Sequence, residues 1–575
     1  MLAGPIFSRE ALTSPRSFRH YLLRSGYVAV LFLLMYTTRV TTFGWQEIRN
    51  VGDAAGFGTL SFQIFSIVQL TLVLFFALLL AAGAVAQEKD RQTLILLLMT
   101  DLRDRELVLG KLLASLLLVG VLLATSVPVF VMLQLLGGVS LDQIGWALGL
   151  CAATALVAGS WGSLVAFWRE KTFQTLAISV IGVVLFLGTV EAAVVLAGTD
   201  SAAGKFIAQL NPYRALMGVL DPLGSEPQTG VGHSALGSVL ALSGLALLLN
   251  LATILRLRIW NPSKSVFQQV QVDKQQTETK TGAVREVWEN PVIWREIRTR
   301  AYGRKVFVIK LAYVVVAAFA MFYFARPAGD ETLVLGMVSA PGFAFVGLTL
   351  ISLMIINSQA VTSLTSERDG KTLELLLVTD VTAREFIFGK LGGILYNTKE
   401  LIIIPLLLVG YYAFTGGITL EQLVYLVIGF LVLLAFTTML GLHSGLSYDS
   451  SRAAIANSLG TIFFLSIGVF IFMILLVETR TSFMLQLPGF LLIIGAGSLG
   501  LWASLTHKNP SNALTLAAGL LPFLTFYAIT EFLLDGTLGV CLAIGAAYGF
   551  ATLAMLIPAV SEFDVALGRT TLDKG

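Results

Sequence analysis

Charge, cysteine and histidine are all scarce in this 575-residue sequence, and each shortage closes off a class of function. Asp, Glu, Lys and Arg together make up 13% of the chain, about half the share of a soluble globular protein. A net charge of +3 over this length leaves no basic footprint, which excludes a nucleic-acid partner. The two cysteines, Cys151 and Cys541, both lie in apolar runs, so neither a disulfide framework nor a Cys-rich metal site is available. The four histidines, His20, His233, His443 and His507, are scattered and fit no metal spacing. His443, near one end of an apolar run, reads as a tolerated polar residue rather than a ligand. No Walker A motif is present: Gly370-Lys371-Thr372 has Thr365 where the first glycine of GxxxxGK[ST] is required. No acid, base and nucleophile cluster in sequence to support a membrane enzyme, although such groups can converge in three dimensions.

What is abundant is apolar sequence. Hydrophobic residues make up 56% of the chain, and the mean hydropathy is +0.83. Length alone suggests about four soluble domains. Recurrent runs of about 20 apolar residues, long enough to cross a bilayer as helices, override that prior. The expected fold is an all-α polytopic membrane protein with about 14 transmembrane helices. They fall near 22–39, 60–86, 107–136, 143–168, 172–198, 234–257, 306–325, 337–362, 386–415, 421–446, 453–478, 484–505, 513–533 and 539–560. The opening MLAGPIFSREALTSPRSFRH is too polar for a signal-peptide core, so the first run is expected to act as an uncleaved insertion signal. With the N-terminus inside, 31 Lys and Arg fall in inner segments and six outside. The positive-inside rule therefore places both termini in the cytoplasm.

The chain contains an internal duplication. Residues 88–112, EKDRQTLILLLMTDLRDRELVLGKL, align without gaps to 367–391, ERDGKTLELLLVTDVTAREFIFGKL, with 14 of 25 positions identical. A second echo precedes the first span of each half, Pro5–Glu10 (PIFSRE) against Pro291–Glu296 (PVIWRE). Six spans and an inner linker separate the copies, so the repeats run parallel, with a pathway expected between them. Thr382-Ala383-Arg384-Glu385 has capping-box spacing for the start of the next helix. Arg103 stands in place of that Thr in the first copy, where Asp101 is a candidate substitute cap. Two readings of the repeated segment stand: an interfacial amphipathic helix that anchors spans, or a docking element for a partner.

These residues resemble the membrane subunits of type-2 ABC transporters, the exporter permeases. The resemblance falls on Glu88, Thr93, Leu94, Leu97, Thr100, Arg105, Glu106, Gly110 and Lys111 in the first copy. In the second it falls on Glu367, Gly370, Thr372, Leu373, Glu374, Leu376, Thr379, Arg384, Glu385, Gly389 and Lys390. It implies that 88–106 and 367–385 are coupling segments that insert into an ATPase, and that NPVIWRE is an interfacial elbow helix. The outer loop around Asn211-Pro212 resembles the family's segment between spans five and six. Asp101 and Asp380 replace the family's proline, and Ile95 replaces its glutamate. The second half lacks the long loop after its fifth span, and two further spans follow its sixth.

The expected organisation is a first permease half at 1–257, a linker with the second elbow at 258–305, a second half at 306–505 and a two-span tail at 506–575. The resemblance implies the transmembrane subunit of an ATP-driven exporter in the inner membrane. ATP and Mg would bind not to this chain but to two partner ATPase subunits, and the transported substrate is unassigned. The alternatives are a membrane assembly or signalling subunit driven by the same ATPases, and, third, a polytopic membrane enzyme. Charged and polar residues inside spans mark a candidate pathway: Asn357 and Gln359 in the eighth span, and Tyr396, Asn397, Lys399 and Glu400 in the ninth. Leu78, Leu80, Leu117, Leu118, Gly120 and Val121 stand at the matching places of the first half. The competing reading of these six residues is polar glue between packed helices, with Lys399 snorkelling to the surface.

Overall fold

The computed structural model describes residues 4–561 except 14–17, 45–49, 199–200, 221–230, 262–287, 289, 299–305, 325–338, 371–380, 479–482, 508–510 and 535. Every regular element among the described residues is a helix. This is the expected consequence of the apolar runs, because in hydrocarbon only a helix or a closed barrel satisfies its own backbone.

The first half begins with short α1 (Gly4–Thr13), followed by α2 (Phe18–Phe43) and α3 (Val51–Asp90). Short α4 (Thr93–Leu98) leads into α5 (Asp104–Leu135), α6 (Leu141–Trp168) and α7 (Thr172–Ala197). Two short helices, α8 (Ala202–Ala208) and α9 (Pro212–Leu220), then precede α10 (Val231–Trp260). The second half opens with α11 (Pro291–Arg298), α12 (Val306–Phe324) and α13 (Ala340–Asp369). It continues through α14 (Ala383–Asn397), α15 (Lys399–Phe414), α16 (Leu420–Ser447) and α17 (Ser451–Glu478). Three further long helices complete it, α18 (Phe483–Leu505), α19 (Asn512–Leu533) and α20 (Thr537–Ser561).

Twelve of the described helices are long and apolar enough to cross a bilayer, thirteen if α14 and α15 are counted as one bent span. The fourteenth expected span, 306–325, is present as α12, whose described apolar core runs only from Phe307 to Met321. The expected span 60–86 is longer than the hydropathy suggested: α3 has 40 residues and carries its helix out to the charged Glu88-Lys89-Asp90. The expected continuous span 386–415 is instead broken, with α14 and α15 bent by 57° at Thr398. Asn397 and Thr398 account for the break. Asn397 donates to the Glu296 carbonyl oxygen at 3.4 Å and Thr398 back-bonds to Ile394 O at 2.8 Å, the local competition that disfavours both residue types inside helices.

Capping behaves as the sequence suggested in one copy only. Thr382 Oγ1 accepts from the Glu385 amide at 3.3 Å, and Glu385 Oε2 accepts from the Thr382 amide at 2.9 Å. In the first copy the Arg103 side chain has no acceptor to offer. The remaining half of the box, Glu106 Oε2 accepting from the Arg103 amide at 3.2 Å, starts α5, and Asp101 is not the cap.

The two halves share one packing scheme at one register. α3 packs on α6 as α13 packs on α16. A Cβ added at Gly162 would lie 2.6 Å from the Leu78 carbonyl oxygen, and one added at Gly441 would lie 2.9 Å from that of Asn357. Both pairs are related by the offset that aligns the repeats, so glycine at each crossing lets backbones approach as small residues do in membrane interfaces. The elbow helices match too: α1 lies on α5 and α11 on α14. Between the halves, α7 packs on α12 and α13, while α17 packs on α3. There the Phe75 and Phe463 rings stack at 3.9 Å between centroids, with Phe76 edge-on to Phe463 at 6.1 Å.

α10 lies along α6, joined by Asn250 Nδ2 donating to Ser160 Oγ at 2.8 Å. In the second half the helix lying along α16 is α20, with Phe436 and Tyr548 edge to face at 5.0 Å. α18 packs instead on α2 and α19.

Candidate functional site: the paired charged triads

Both copies of the repeat end their second long helix in a three-residue charged triad, Glu88-Lys89-Asp90 in α3 and Glu367-Arg368-Asp369 in α13. Each residue of the triad has its own task, and the tasks recur at matching sequence separations, to within one residue. The first carboxylate binds the lysine one turn or two into the next long helix: Lys111 Nζ lies 2.6 Å from Glu88 Oε1, and Lys390 Nζ lies 2.7 Å from Glu367 Oε1. The central cation caps the end of the fourth long helix. Lys89 Nζ donates to Phe167 O at 2.5 Å and to Arg169 O at 2.9 Å. Arg368 donates to Gly445 O at 3.0 Å and also to Tyr448 O. These are helix C-terminal carbonyls, which lack intrahelical donors and favour a cation. The second carboxylate takes a hydroxyl at the start of the fifth long helix, Thr172 on Asp90 and Ser451 on Asp369. One triad thus pins the ends of four helices on one charged face of the bundle.

The two triads meet. Arg91, the residue after the first triad, places its guanidinium 3.5 Å from Asp369 Oδ1 of the second. The repeat does not duplicate this contact, because Gly370 stands where Arg91 does.

The second half adds its elbow to the cluster. Glu296 of α11 accepts from Lys390 Nζ at 2.6 Å, and Arg295 bonds Glu367. Lys390 also donates to Ser363 O at 3.1 Å. Lys390 and Glu367 are 1% and 14% exposed, whereas Lys111 and Glu88 of the first half are 18% and 27% exposed. The same lysine–glutamate pair is therefore buried and shared in one half and partly wet in the other.

Directly after the first triad, Gln92 adopts a left-handed φ of 58° and turns the chain into α4. Thr93 bonds the Glu88 carboxylate, and Leu94 and Leu98 are buried beneath the helix. Leu96 and Met99 point outward, 64% and 70% exposed. Thr100 back-bonds to Leu97 O at 2.6 Å, and Arg105 is exposed while Glu106 is the helix cap. In the second copy Arg384 is exposed and Glu385 caps α14. Thr372, Leu373, Glu374 and Thr379 lie outside the described residues. The structure therefore divides the expected coupling residues. Glu88, Glu367 and Thr93 are spent on internal bonds, while Arg105 and Arg384 are exposed, and Leu96 and Met99, which the sequence reading did not single out, are exposed beside Arg105.

The candidate pathway residues fall in two separate places. Asn357 is fully buried, donating to Thr437 O at 2.8 Å and accepting from Ser458 Oγ at 2.8 Å, so it ties α13 to α16 and α17. Gln359 is buried two residues further along the same helix. Tyr396, Asn397, Lys399 and Glu400 gather at the α14–α15 break. Lys399 Nζ sits 4.4 Å above the Tyr396 ring, and Glu400 Oε1 pairs with Lys310 of α12 at 2.7 Å. The break also puts Tyr396 and Asn397 on one helix and Glu400 on the next, so the three do not share the continuous helical face that the sequence spacing suggested. His443 Nε2 donates to Leu505 O, at the end of α18, at 2.8 Å.

Sequence reasoning passed over Lys89, Asp90, Arg368 and Asp369, and their partners Thr172 and Ser451. The signal was there: acid, base, acid is kept in both copies, and a hydroxyl follows each aspartate 82 residues later.

Residues 37–255 match the family described as ABC-2 family transporter protein. That span contains the first triad and α4. No curated protein and no solved structure matches the chain.

Proposed function

We propose that this protein forms the substrate pathway of an ATP-driven exporter and is powered by two separate ATPase subunits that bind ATP and Mg. The observation that carries this reading is the placement of α4. Its inner face rests on Leu94 and Leu98 and on the triad, and its outer face presents Leu96 and Met99. An exposed apolar pair on a short helix beside a charged network suits insertion into a cleft of a partner. A force applied to α4 would reach Glu88 through Thr93, and from the triad the ends of α5, α6 and α7. The second triad makes the matching contacts with α14, α16 and α17. In this reading the charged face is cytoplasmic, both termini are inside, and the bundle sits in the inner membrane.

The experiment is purification from native membranes followed by ATPase assay. A soluble partner carrying GxxxxGK[ST] should copurify. Leu96→Asp with Met99→Asp should release it or abolish stimulation of its ATPase activity, with no change in the melting of the membrane subunit. Retained binding and stimulation in that variant would remove α4 as a coupling element.

A further inference from the structure

α18 and α19 sit at a place in the chain that the first half fills with two short helices. In the first half α7 is followed by short α8 and α9, and then by α10 lying along α6. In the second, α17 is followed by α18 and α19, and then by α20 lying along α16. Adding two crossings leaves the direction of the next helix unchanged, so α20 reaches α16 in the sense in which α10 reaches α6.

The inserted pair changes one of the two seams between halves. At one seam, α12 lies directly on α7. At the corresponding seam, α2 meets α17 only marginally and packs mainly on α18. The contact is close. Thr37 Oγ1 lies 3.3 Å from the Gly489 carbonyl oxygen. A Cβ built on Gly489 would stand 3.3 Å from Thr37 Cγ2 and 3.4 Å from Val40 Cβ. Leu31 and Leu34 of α2 share one apolar cluster with Phe490 and Ile494 of α18 and Phe526 of α19. Phe490 and Phe526 lie 5.0 Å apart between centroids with their rings tilted by 38°, and each packs on Phe472 of α17.

We propose that α18–α19 is an intramolecular clasp that binds α2 of the first half to the second half, so that α20 completes the second permease half and any separation of the halves takes place at the α7–α12 seam alone. The part about separation rests on the exporter reading above; the clasp itself does not.

The test uses the full chain with Cys151→Ser and Cys541→Ser, a protease site within 262–287, and Val40→Cys with Gly489→Cys. The Cβ separation available at this pair falls close to the range that a disulfide spans. Membranes are oxidised, cleaved and run on a gel. Expected is a high proportion of joined fragments, unchanged by Mg-ATP or by Mg-ATP with vanadate, and ATP turnover of the copurified complex equal before and after oxidation. Separated fragments from folded protein would overturn the clasp. Turnover lost on oxidation and regained on reduction would overturn confinement to the other seam. If the tight site at Gly489 blocks folding, Phe490→p-benzoylphenylalanine replaces it: irradiation should join the two fragments, and failure to do so overturns the clasp. Absence of any ATP turnover would count against the exporter reading, and the fragment pattern would still decide the contact.

Discussion

Arg91 of the first half and Asp369 of the second face each other across the bundle, guanidinium to carboxylate, at 3.5 Å. Arg91 is the last residue but one before α4, and Asp369 belongs to the triad that holds the start of α17 through Ser451. The contact joins the route out of one half to the anchor of the other, and the duplicated sequence supplies it only once.

The two ends of this pair should behave differently on truncation. Arg91 is half exposed and Asp369 is 5% exposed. Arg91→Ala removes a partly solvated pair of about 0–1 kcal/mol and should leave thermal melting in detergent nearly unchanged. Asp369→Ala also strips the acceptor from the buried Ser451 hydroxyl, and should lower the melting temperature. Equal effects would mean that the interhalf pair, not the helix anchor, dominates.

Lys390 and Lys111 occupy the same place in the repeat and predict opposite sensitivities. Lys390→Met leaves Glu296 and Glu367 facing each other with little water, a loss of about 3–5 kcal/mol by the measure of broken buried pairs. Lys111→Met breaks a partly exposed pair and should cost about 1 kcal/mol or less. Melting of the two variants side by side decides it, and comparable stability would show that the second-half cluster is hydrated.

Glycine at the α3–α6 and α13–α16 crossings is a packing requirement. Gly162→Ala and Gly441→Ala each drive a methyl toward a backbone carbonyl, and should destabilise by about 1–3 kcal/mol as overpacked sites do. Gly468, with nothing within 4 Å of a built Cβ, is the control and should tolerate alanine. Wild-type stability at the crossings would mean that the helices slide apart freely.

Glu400 pairs with Lys310 rather than with its neighbour Lys399, and both partners are about one-third exposed. Glu400→Gln should therefore cost no more than about 1 kcal/mol of stability. If the pair lines a transport route, flux should fall in Glu400→Gln and return in part in the exchanged variant Lys310→Glu with Glu400→Lys. Normal flux in both would leave the pair as a local tie between α12 and α15.

Sidedness can be read with an impermeant thiol reagent in a background lacking Cys151 and Cys541. Lys205→Cys, on α8, should label in intact cells, and Thr100→Cys, just after α4, only after the membrane is opened. The reverse pattern would invert the proposed orientation.

The sequence by itself determined the class of this protein. Long apolar runs can satisfy their backbones in lipid only as helices, so composition and run length were enough for an all-α membrane bundle. The ungapped repeat likewise pointed to matching charged contacts in both copies, because matching tasks require matching residues at matching separations. Pattern reading failed where neighbours compete. Hydropathy averages over Asn397 and Thr398, yet their side chains bond elsewhere and break the ninth span. Glu88 and Glu367 read as docking residues from the repeat, but their carboxylates are taken up by Lys111, Lys390 and Arg295. Which helix lies along α16 was invisible in the order of spans, because α18 and α20 are both apolar enough to span and are separated by one intervening span. Side-chain fit decided it: Tyr548 packs on Phe436, and Gly489 gives α2 room to approach α18.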